Sequence, residues 1–454
     1  MIGGNDLNFL VVNPWIYDFA AYDFWLKPLG LLYISEVLTY LGHSVTFIDL
    51  LNRHDDDLIS KYPPKDKKYG TGKFYNEGVE KPDILKNIPR KFKRYGLPLK
   101  LFESKLEAIK KQNKVDAILV GITLTYWYYG GEKTIEILRN IFHSTPIFLG
   151  GIYSTLYTKH AEDNFSKFGV NISPGTGMSP LKTVLEALNE DITKLDNFNW
   201  FEEIDLTYDF YDSYLTYVVL VSSVGCPFHC TYCVTPKMWK FQYRSIDKII
   251  NNIECILKKR PYVKDIVFFD DAFLLRKDIK ELLKYLSKFD VRYHLPNGIH
   301  ARRVDDEIAL LLKKANFKTI KLGYESYDFN IQKGTGFKVT NNDLVKAVTC
   351  LKNAGFDMND VYAYVLVNLP SQNKNDVIQA VDFCHSLGIK VNLNEFTPIP
   401  GTVEYEELVK KNAISSNIDP LLLNNTIIPY WSSFGLSIAD IEEVKRYTKA
   451  KYTN

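Results

Sequence analysis

Three cysteines lie within eight residues of this chain, in the segment GCPFHCTYC at positions 225–233. The chain has only six cysteines among 454 residues, so Cys226, Cys230 and Cys233 form a marked cluster. Thiolates at C-x3-C-x2-C spacing can point inward from one tight loop and hold a metal group. A tetrahedral zinc site would need a fourth ligand, whereas a [4Fe–4S] cluster held by three cysteines keeps one iron open. The spacing therefore predicts a metal centre rather than unconnected or disulfide-linked cysteines.

The cysteine segment resembles the cluster loop of the radical S-adenosylmethionine (SAM) enzymes, including the aromatic Tyr232 before the last cysteine. The resemblance implies that the three cysteines bind a [4Fe–4S] cluster and that its open iron chelates SAM. One-electron reduction would then cleave SAM to a 5′-deoxyadenosyl radical, which abstracts a hydrogen atom from the substrate. In cofactor enzymes of this kind the protein supplies position and excludes water. His229 occupies a variable position of such loops and is interpreted as loop filler rather than as a ligand.

Behind the cysteine loop, apolar segments that end in polar residues have the character of buried parallel strands. Amphipathic segments such as 246–260 and 341–356, with apolar residues at helical spacing, lie between them. Alternating strands and helices predict a parallel sheet covered by helices, a partial barrel whose loops at the carboxyl ends line the site. The predicted strands and their exits cover residues 265–273, 291–305, 319–326, 361–372 and 391–402.

The family resemblance also implies which residues contact SAM. Family members usually carry Gly-Gly-Glu after the second strand, and Asp270 and Asp271 stand in that place here. The fourth strand resembles one that ends in Gly-x-Glu-Ser, and the sixth has the Pro-x-Pro-Gly-Thr ending at 398–402 that is common in this branch. The candidate SAM-binding residues are Tyr232, Asp270, Asp271, Asn297, Arg302, Glu325 and Ser326.

The first 200 residues contain a second series of strands and helices. An opening strand at 8–15 is followed by a helix and strand within 27–50, and by further strand–loop–helix patterns within 116–142 and 145–157. A last short strand and turn lie within 169–177. This doubly wound pattern predicts a Rossmann-like domain that binds a ligand at the carboxyl edge of its sheet.

The N-terminal domain resembles the cobalamin-binding domain that precedes many radical SAM domains. Pro-Leu-Gly at 28–30, Gly-His-x-Val at 42–45 and Gly-Gly at 150–151 match that pattern. The motif Asp-x-His-x-x-Gly is absent, so the resemblance implies no histidine ligand to cobalt, and Gly-Thr-Gly-Met replaces the usual Gly-Glu-Gly-Glu at 175–178. A scaffold without cofactor, or a site for another nucleotide, is the alternative. The candidate cobalamin-binding residues are Pro14, Trp15, Thr123, Thr125, Gly150, Gly151, Tyr153, Ser154, Gly175 and Gly177.

A lysine-rich insertion at 52–113 separates two strands of this domain. Its composition predicts a loop over 61–82 and a helix over 88–114, and insertions of this length act as lids or partner surfaces. The basic cluster at 90–94 is interpreted as a solvated helix face, with a phosphate site as the alternative. Aromatic residues in the loops at 15–25 and 126–129 suit either a flat macrocycle or a domain interface.

The charges are balanced, with 56 Lys and Arg against 54 Asp and Glu. The resulting net charge of +2 indicates no electrostatic partner, and no nucleic-acid module is recognisable. No apolar run reaches membrane-spanning length and no secretory signal opens the chain, so a cytoplasmic location is expected. Cys255, Cys350 and Cys384 lie in amphipathic helical segments and are expected to be core residues.

These patterns predict an α/β protein with three parts. A Rossmann-like, doubly wound domain (1–200) precedes a partial (β/α)6 radical SAM barrel (201–404) and a helical C-terminal extension (405–454). The expected function is that of a cobalamin-dependent radical SAM enzyme that methylates an unactivated carbon. The alternatives are radical SAM cyclisation, rearrangement or oxidation without methyl transfer, and a non-enzymatic metal-binding or regulatory protein. The expected partners are a small-molecule or peptide substrate and an external one-electron reductant such as flavodoxin or ferredoxin, with neither nucleic acid nor membrane.

Overall fold

The computed structural model describes residues 6–370 and 372–452, and the chain divides into two compact units. The first unit is Met1–Thr216 with Asn251–Pro261, and the second is Tyr217–Ile250 with Tyr262–Asn454. The sequence placed the boundary at residue 200. Residues just beyond that point group with the first unit because the Tyr211 hydroxyl donates a hydrogen bond to Asp49, at 2.7 Å.

The first unit is built on a five-stranded parallel sheet in the order β3-β1-β6-β7-β8. Counted along the chain, these strands follow the flavodoxin-like order 2-1-3-4-5, which reverses direction between β1 and β6. Its strands are β1 (Asn8–Asn13), β2 (Ile16–Asp18), β3 (Ser44–Asp49), β4 (Asn76–Gly78), β5 (Lys93–Tyr95), β6 (Ala117–Ile122), β7 (Ile147–Gly151) and β8 (Val170–Ile172). Its helices are α1 (Leu29–Tyr40), α2 (Asp56–Ile59), α3 (Leu99–Gln112), α4 (Tyr128–Ile141), α5 (Ile152–Leu156), α6 (Thr158–Phe165), α7 (Ser179–Ala187) and α8 (Trp200–Glu203). The doubly wound prediction is confirmed.

The insertion at 52–113 folds into the first unit. Strands β2, β5 and β4 form a small antiparallel sheet, and α3 follows it. The predicted helix over 88–114 is therefore wrong in its first part, because residues 93–95 pair as a strand with both neighbours. Arg94 is buried, lies over the Trp15 ring and pairs with Glu77, so the basic cluster at 90–94 is not a solvated helix face.

The aromatic residues of the first-unit loops are mostly part of this packing. Trp15 is 1 % exposed, contacts Phe102 edge-on and donates its indole N–H to the carbonyl of Leu97. Tyr17 and Phe19 pack against Phe92 of the insertion. Aromatic side chains contribute large buried areas, and here they join the opening loop to the insertion.

The second unit contains a parallel sheet in the order β17-β16-β15-β13-β12-β9, with β14 beside β15. Neighbouring strands follow chain order, and within the described residues β9 and β17 are its two edges, so the sheet is an open barrel of six main strands. Its strands are β9 (Val218–Leu220), β10 (Ser223–Val224), β11 (Gln242–Tyr243), β12 (Asp265–Phe268), β13 (Arg292–His294), β14 (Ile299–His300), β15 (Phe317–Glu325), β16 (Val361–Val367) and β17 (Lys390–Glu395).

Helices follow the barrel strands, as the amphipathic segments predicted. They are α9 (Thr235–Met238), α10 (Ile246–Lys259), α11 (Ile279–Leu286), α12 (Asp306–Lys314), α13 (Phe329–Gly334), α14 (Asn341–Asn353), α15 (Lys374–Ser386), α16 (Val403–Lys410), α17 (Ile428–Trp431) and α18 (Ile438–Lys451). From Asn251 onward the residues of α10 group with the first unit. The last three make the C-terminal extension helical, and Tyr447 of α18 donates a hydrogen bond to Asp382 of α15. Of the three cysteines predicted in the core only Cys384 is buried, because Cys255 lies on the exposed side of α10 and Cys350 is half-buried.

None of the helices in the described part of the chain is long and apolar enough to span a membrane.

Gly151 ends β7 with φ at +99°, where a Cβ atom would lie 2.5 Å from the Ile122 carbonyl oxygen of the neighbouring strand. Gly151→Ala should therefore lower the free energy of unfolding by about 2 kcal/mol through strain and strand displacement. At Gly150 the corresponding Cβ would meet only the Ser173 carbonyl oxygen at 3.6 Å, so Gly150→Ala is the matched control with a much smaller loss. Urea unfolding of both variants measures the difference, and equal losses would contradict this role for Gly151.

Candidate active site

The cysteine loop leaves the first barrel strand through a tight turn. Gly225 follows β10 with φ at +77°, and a Cβ atom there would lie 2.7 Å from the Trp239 carbonyl oxygen. Glycine is therefore required for the loop to turn back beside residue 239. At the far end of the loop the Cys233 amide donates to the Cys230 carbonyl, and α9 begins two residues later.

The three thiols of this loop are half-buried and form no disulfide. The pKa of Cys226 is raised to about 11, mainly by burial and to a smaller extent by the neighbouring Cys230 and Cys233, against the lowering effect of Lys338. Burial likewise raises the pKa of Cys230, again against the effect of Lys338. A metal group that takes these sulfurs as thiolates must displace their protons, and a nearby cation favours that step.

A buried ion pair lies beside the cysteine loop. Lys338 Nζ is 2.7 Å from Glu325 Oε1, and the two side chains are 18 % and 12 % exposed. Burial lowers the pKa of Lys338, but Glu325 and the two nearby cysteines raise it more, so the ammonium group stays charged. Tyr232 belongs to the same cluster, because burial raises its pKa and the neighbouring Glu325 and Cys230 raise it further.

A second acidic position lies at the end of β12. Asp270 is buried and accepts hydrogen bonds from the Ser222 amide (3.0 Å) and from the hydroxyls of Ser222 and Ser223 (2.6 Å each). Burial nevertheless raises its pKa. Asp271 is exposed, but the surrounding protein limits the hydration of its carboxyl group, and this desolvation, with the charge of Asp270, raises its pKa to about 6.

The other predicted SAM-binding residues lie at the same sheet edge with different environments. Asn297 is exposed and donates to the Phe269 carbonyl. Arg302 is exposed and pairs with Asp343 at 3.1 Å. Ser326 is buried, and its hydroxyl accepts a hydrogen bond from the Asp328 amide, so it orders the turn after β15 in this structure. The structure thus brings Tyr232 and Glu325 into one cluster with the cysteines, while Ser326 faces its own loop.

Within residues 6–370 and 372–452, no three His, Cys, Asp or Glu side chains converge on a single-ion position. The cysteines of a [4Fe–4S] cluster bind separate iron atoms, so they need not approach one point as zinc ligands do. Three thiols on one glycine-turned loop, with a buried cation beside them, fit such a cluster.

The first unit has a pocket at the carboxyl ends of β1 and β6, where its strand order reverses. Ligands of open α/β sheets bind at this switch point. Asn13, Lys27 and Thr123 are among its polar lining residues. Burial lowers the pKa of Lys27, against the raising effects of Asp49 and Asp23.

The predicted cobalamin-binding residues are only partly gathered at this pocket. Pro14, Trp15 and Thr123 line it, and Thr125 begins the following short helical turn. Tyr153 and Ser154 are fully buried. The Tyr153 hydroxyl is hydrogen-bonded to His160, and the Ser154 hydroxyl donates to the Gly151 carbonyl. The remaining candidates lie at the ends of β7 and β8 and are Gly150, Gly151, Gly175 and Gly177.

Sequence reasoning missed several residues of both sites. Lys338 lies in a loop without a recognisable motif, and its pairing with Glu325 across thirteen positions has no local signal. Ser222 and Ser223 stand directly before the cysteine loop, and their position at a strand exit was a usable signal. Lys27 lies next to the Pro-Leu-Gly segment that the sequence did single out.

Residues 220–401 match the family described as the radical SAM superfamily. The matched segment runs from the end of β9 past β17 and includes the cysteine loop. The second unit therefore contains a radical SAM domain. The cofactors of this domain type are a [4Fe–4S] cluster and SAM, as the resemblance of the cysteine loop implied.

Curated relatives of the chain include methyltransferases. An uncharacterised methyltransferase of Pyrococcus horikoshii is 24 % identical over 218 residues, which are 45 % of this chain and 46 % of the relative. Bacteriochlorophyllide d C-12(1)-methyltransferase of Chlorobaculum tepidum is 24 % identical over 203 residues, 43 % of each chain. The chain thus matches less than half the length of these relatives.

Solved structures resemble the chain over most of its length. The radical SAM methyltransferase TsrM from Kitasatospora setae, solved with tryptophan and a SAM analogue, gives a TM-score of 0.65 at 15 % identity, over 89 % of this chain and 76 % of TsrM. A second TsrM structure holds cobalamin and a [4Fe–4S] cluster. The cobalamin-dependent radical enzyme OxsB gives a TM-score of 0.56 at 14 % identity, over 99 % of this chain and 61 % of OxsB. The chain therefore has the fold of these enzymes, including the Rossmann-like N-terminal unit.

Lys338→Met should lower the free energy of unfolding by about 3 kcal/mol, because it leaves the Glu325 carboxylate buried without its cation. Adding Glu325→Gln should recover most of that loss, since the double variant buries no charge at this position. The matched control is Lys374→Met, whose partner Glu443 is 51 % exposed. A surface pair of this kind contributes less than about 1 kcal/mol. Urea unfolding of the three variants and the unchanged protein forms the test, and a double variant as unstable as Lys338→Met would contradict it.

Proposed function

We propose that the chain is a cobalamin-dependent radical SAM enzyme that methylates an unactivated carbon of its substrate. The observation that carries the proposal is the grouping of Cys226, Cys230 and Cys233 with Tyr232 and the Lys338–Glu325 pair at the carboxyl edge of an open parallel barrel. This edge is where the active sites of barrel enzymes form.

The residues of the second unit have distinct roles in this proposal. The three cysteines hold the cluster, and Lys338 offsets part of its negative charge. Tyr232 and Glu325 present polar atoms towards SAM, as do Asp271, Asn297 and Arg302, which are exposed at the same edge. Asp270 and Ser326 are buried and order the neighbouring loops. The cluster and SAM, when bound, would supply the chemistry that generates a substrate radical. Cobalamin, when bound, would supply a methyl carrier.

The first unit supplies the cobalamin site in this proposal. The switch-point pocket between β1 and β6 offers Pro14, Trp15 and Thr123 as its walls, and its exposed rim includes Thr123. Thr125, Gly150, Gly151, Tyr153, Ser154, Gly175 and Gly177 belong to the surrounding loops. Support comes from the shared fold with TsrM and OxsB and from the methyltransferase names among the curated relatives.

Protein purified under anaerobic conditions should contain about four iron and four sulfide per chain and cleave SAM to 5′-deoxyadenosine when a reductant is supplied. Cys230→Ala should lose the cluster and reduce cleavage at least about a hundredfold, because the remaining two thiolates cannot hold it. Cys255→Ala is the matched control, since this thiol is exposed on α10. One zinc and no sulfide per chain would contradict the radical SAM function and favour a structural metal site.

Cobalamin uptake tests the role of the first unit. Hydroxocobalamin should bind in a one-to-one ratio, and Thr123→Trp should weaken binding at least about tenfold by filling the pocket at the switch point. Thr183→Trp, on an exposed position of α7, should bind like the unchanged protein. Equilibrium dialysis followed by absorbance gives both affinities.

A second candidate function keeps the radical chemistry without methyl transfer, as in cyclisation, rearrangement or oxidation. The burial of Trp15 and Tyr153 within the first unit favours it, because these side chains already pack against protein. SAM cleavage by a protein that takes up no cobalamin would move the assignment to this candidate.

A further inference from the structure

The two faces of the barrel sheet carry different kinds of side chains. On β15 and β16 one face is fully buried beneath helices, and Tyr324 on this face donates to Asn341 of α14 and packs against Phe383 of α15. Successive side chains of a strand point to opposite faces, so the alternate residues face the inside of the barrel. The helix-covered positions are Ile320, Leu322, Tyr324, Ala363 and Val365.

The inside of the barrel carries a row of charged and aromatic side chains. Lys321, Tyr362 and Lys390 lie opposite one another on β15, β16 and β17. Lys321 Nζ lies 5.2 Å from the centre of the Tyr364 ring, and Lys390 Nζ lies 6.0 Å from that of Tyr362. These contacts place all four side chains on one face. Since each strand is about 4.8 Å from the next, the two lysine backbones are about 10 Å apart, a span that their long side chains can bridge.

The next row towards the carboxyl edge adds hydrogen-bonding groups. Tyr364 lies opposite Asn392, whose side chain is within hydrogen-bond reach of the tyrosine hydroxyl. The same hydroxyl donates to the Pro296 carbonyl at 2.5 Å, which fixes the ring. We call Lys321, Tyr362, Tyr364, Lys390 and Asn392 the inner polar face. All five are half-buried, whereas closed barrels fill this space with branched apolar side chains.

Keeping the charge of Lys321 inside the barrel is costly. Glu325, nearer the carboxyl edge of β15, is paired with Lys338. Burial lowers the pKa of Lys321 to about 8, which shows that its charge is poorly hydrated. An anion entering the barrel would offset that cost.

We propose that the inner polar face binds an anionic oxygen group of the substrate, a carboxylate or a phosphate. Lys321 and Lys390 supply the charge, Asn392 an amide donor, and Tyr362 and Tyr364 the walls. The assignment rests on the proposed function and adds to it the chemical class of the substrate, which has an anionic end inside the barrel and a reacting carbon nearer the cysteine loop. Lys321 lies four residues before Glu325 on β15, so this site is separate from the charged cluster beside the cysteines.

The test uses the full chain with its lysines dimethylated by [13C]formaldehyde, a change that keeps their charge. Carbon–proton NMR spectra then follow single lysines, and the variants Lys321→Arg, Lys390→Arg and Lys318→Arg assign the signals. Titration with benzoate or with inorganic phosphate should shift the Lys321 and Lys390 signals saturably. The probe that binds with the higher affinity identifies the anion as carboxylate or phosphate. Lys318, on the same strand with the opposite orientation, should not respond saturably.

Lys321→Gln should weaken the response at Lys390 about tenfold, the effect of one charged hydrogen bond, and Lys318→Gln should leave it unchanged. A response to neutral benzamide equal to that of benzoate, or no saturable shift with either anion, would overturn the proposal. A shift of Lys321 with S-adenosylhomocysteine alone would assign the site to the cofactor instead and overturn it as a substrate site. The experiment requires neither cluster nor cobalamin, so its outcome is independent of SAM cleavage and cobalamin uptake.

Discussion

Each main strand of the second unit pairs in parallel with its neighbour in the chain, so every strand exit lies at the same edge of the sheet. Residues that are far apart in sequence therefore meet without any special long-range signal. Cys230 follows the first strand, Asp270 the second and Glu325 the fourth, and all lie at this edge. The proposed site depends on this order, because an antiparallel hairpin would send alternate exits to opposite ends.

Buried charge at this edge is tolerated only where a partner offsets its desolvation. Glu325 is stabilised by Lys338, and Asp270 by three hydrogen bonds from two serines. The two arrangements differ in consequence, since the ion pair keeps the Lys338 ammonium group charged, whereas the serine cluster leaves the pKa of Asp270 raised. Lys338 serves both Glu325 and the cysteine thiols, so one ammonium group links the loop to the fourth strand. A cation placed between a carboxylate and thiols favours the thiolate form that metal binding requires.

Much of the fold could be predicted from short sequence patterns, because the interactions behind these patterns are local. Apolar runs ended by acids predicted β12 and β15, and the amphipathic segments predicted α10 and α14 within a few residues. The insertion was harder, because residues 93–95 form a strand only through pairing with β2 and β4, and their basic composition gives no sign of it. Cys255 was misplaced for a similar reason: its helix is strongly amphipathic, but the cysteine lies on the exposed side. Lys338 could not be found at all, since its role depends on a contact between two separate loops.

The inner polar face shows how an open barrel differs physically from a closed one. A closed barrel of eight strands has room only for interlocked apolar side chains, which make its interior a core. Six strands that leave an open side admit water, and polar residues such as Lys321 and Asn392 then cost less to place inside. The helix-facing side of the same strands is mostly apolar, so packing on the outside of the barrel stabilises the fold and the inside need not do so. Polarity on the inner side is therefore available for recognition, and two lysines beside tyrosine rings select for negative charge.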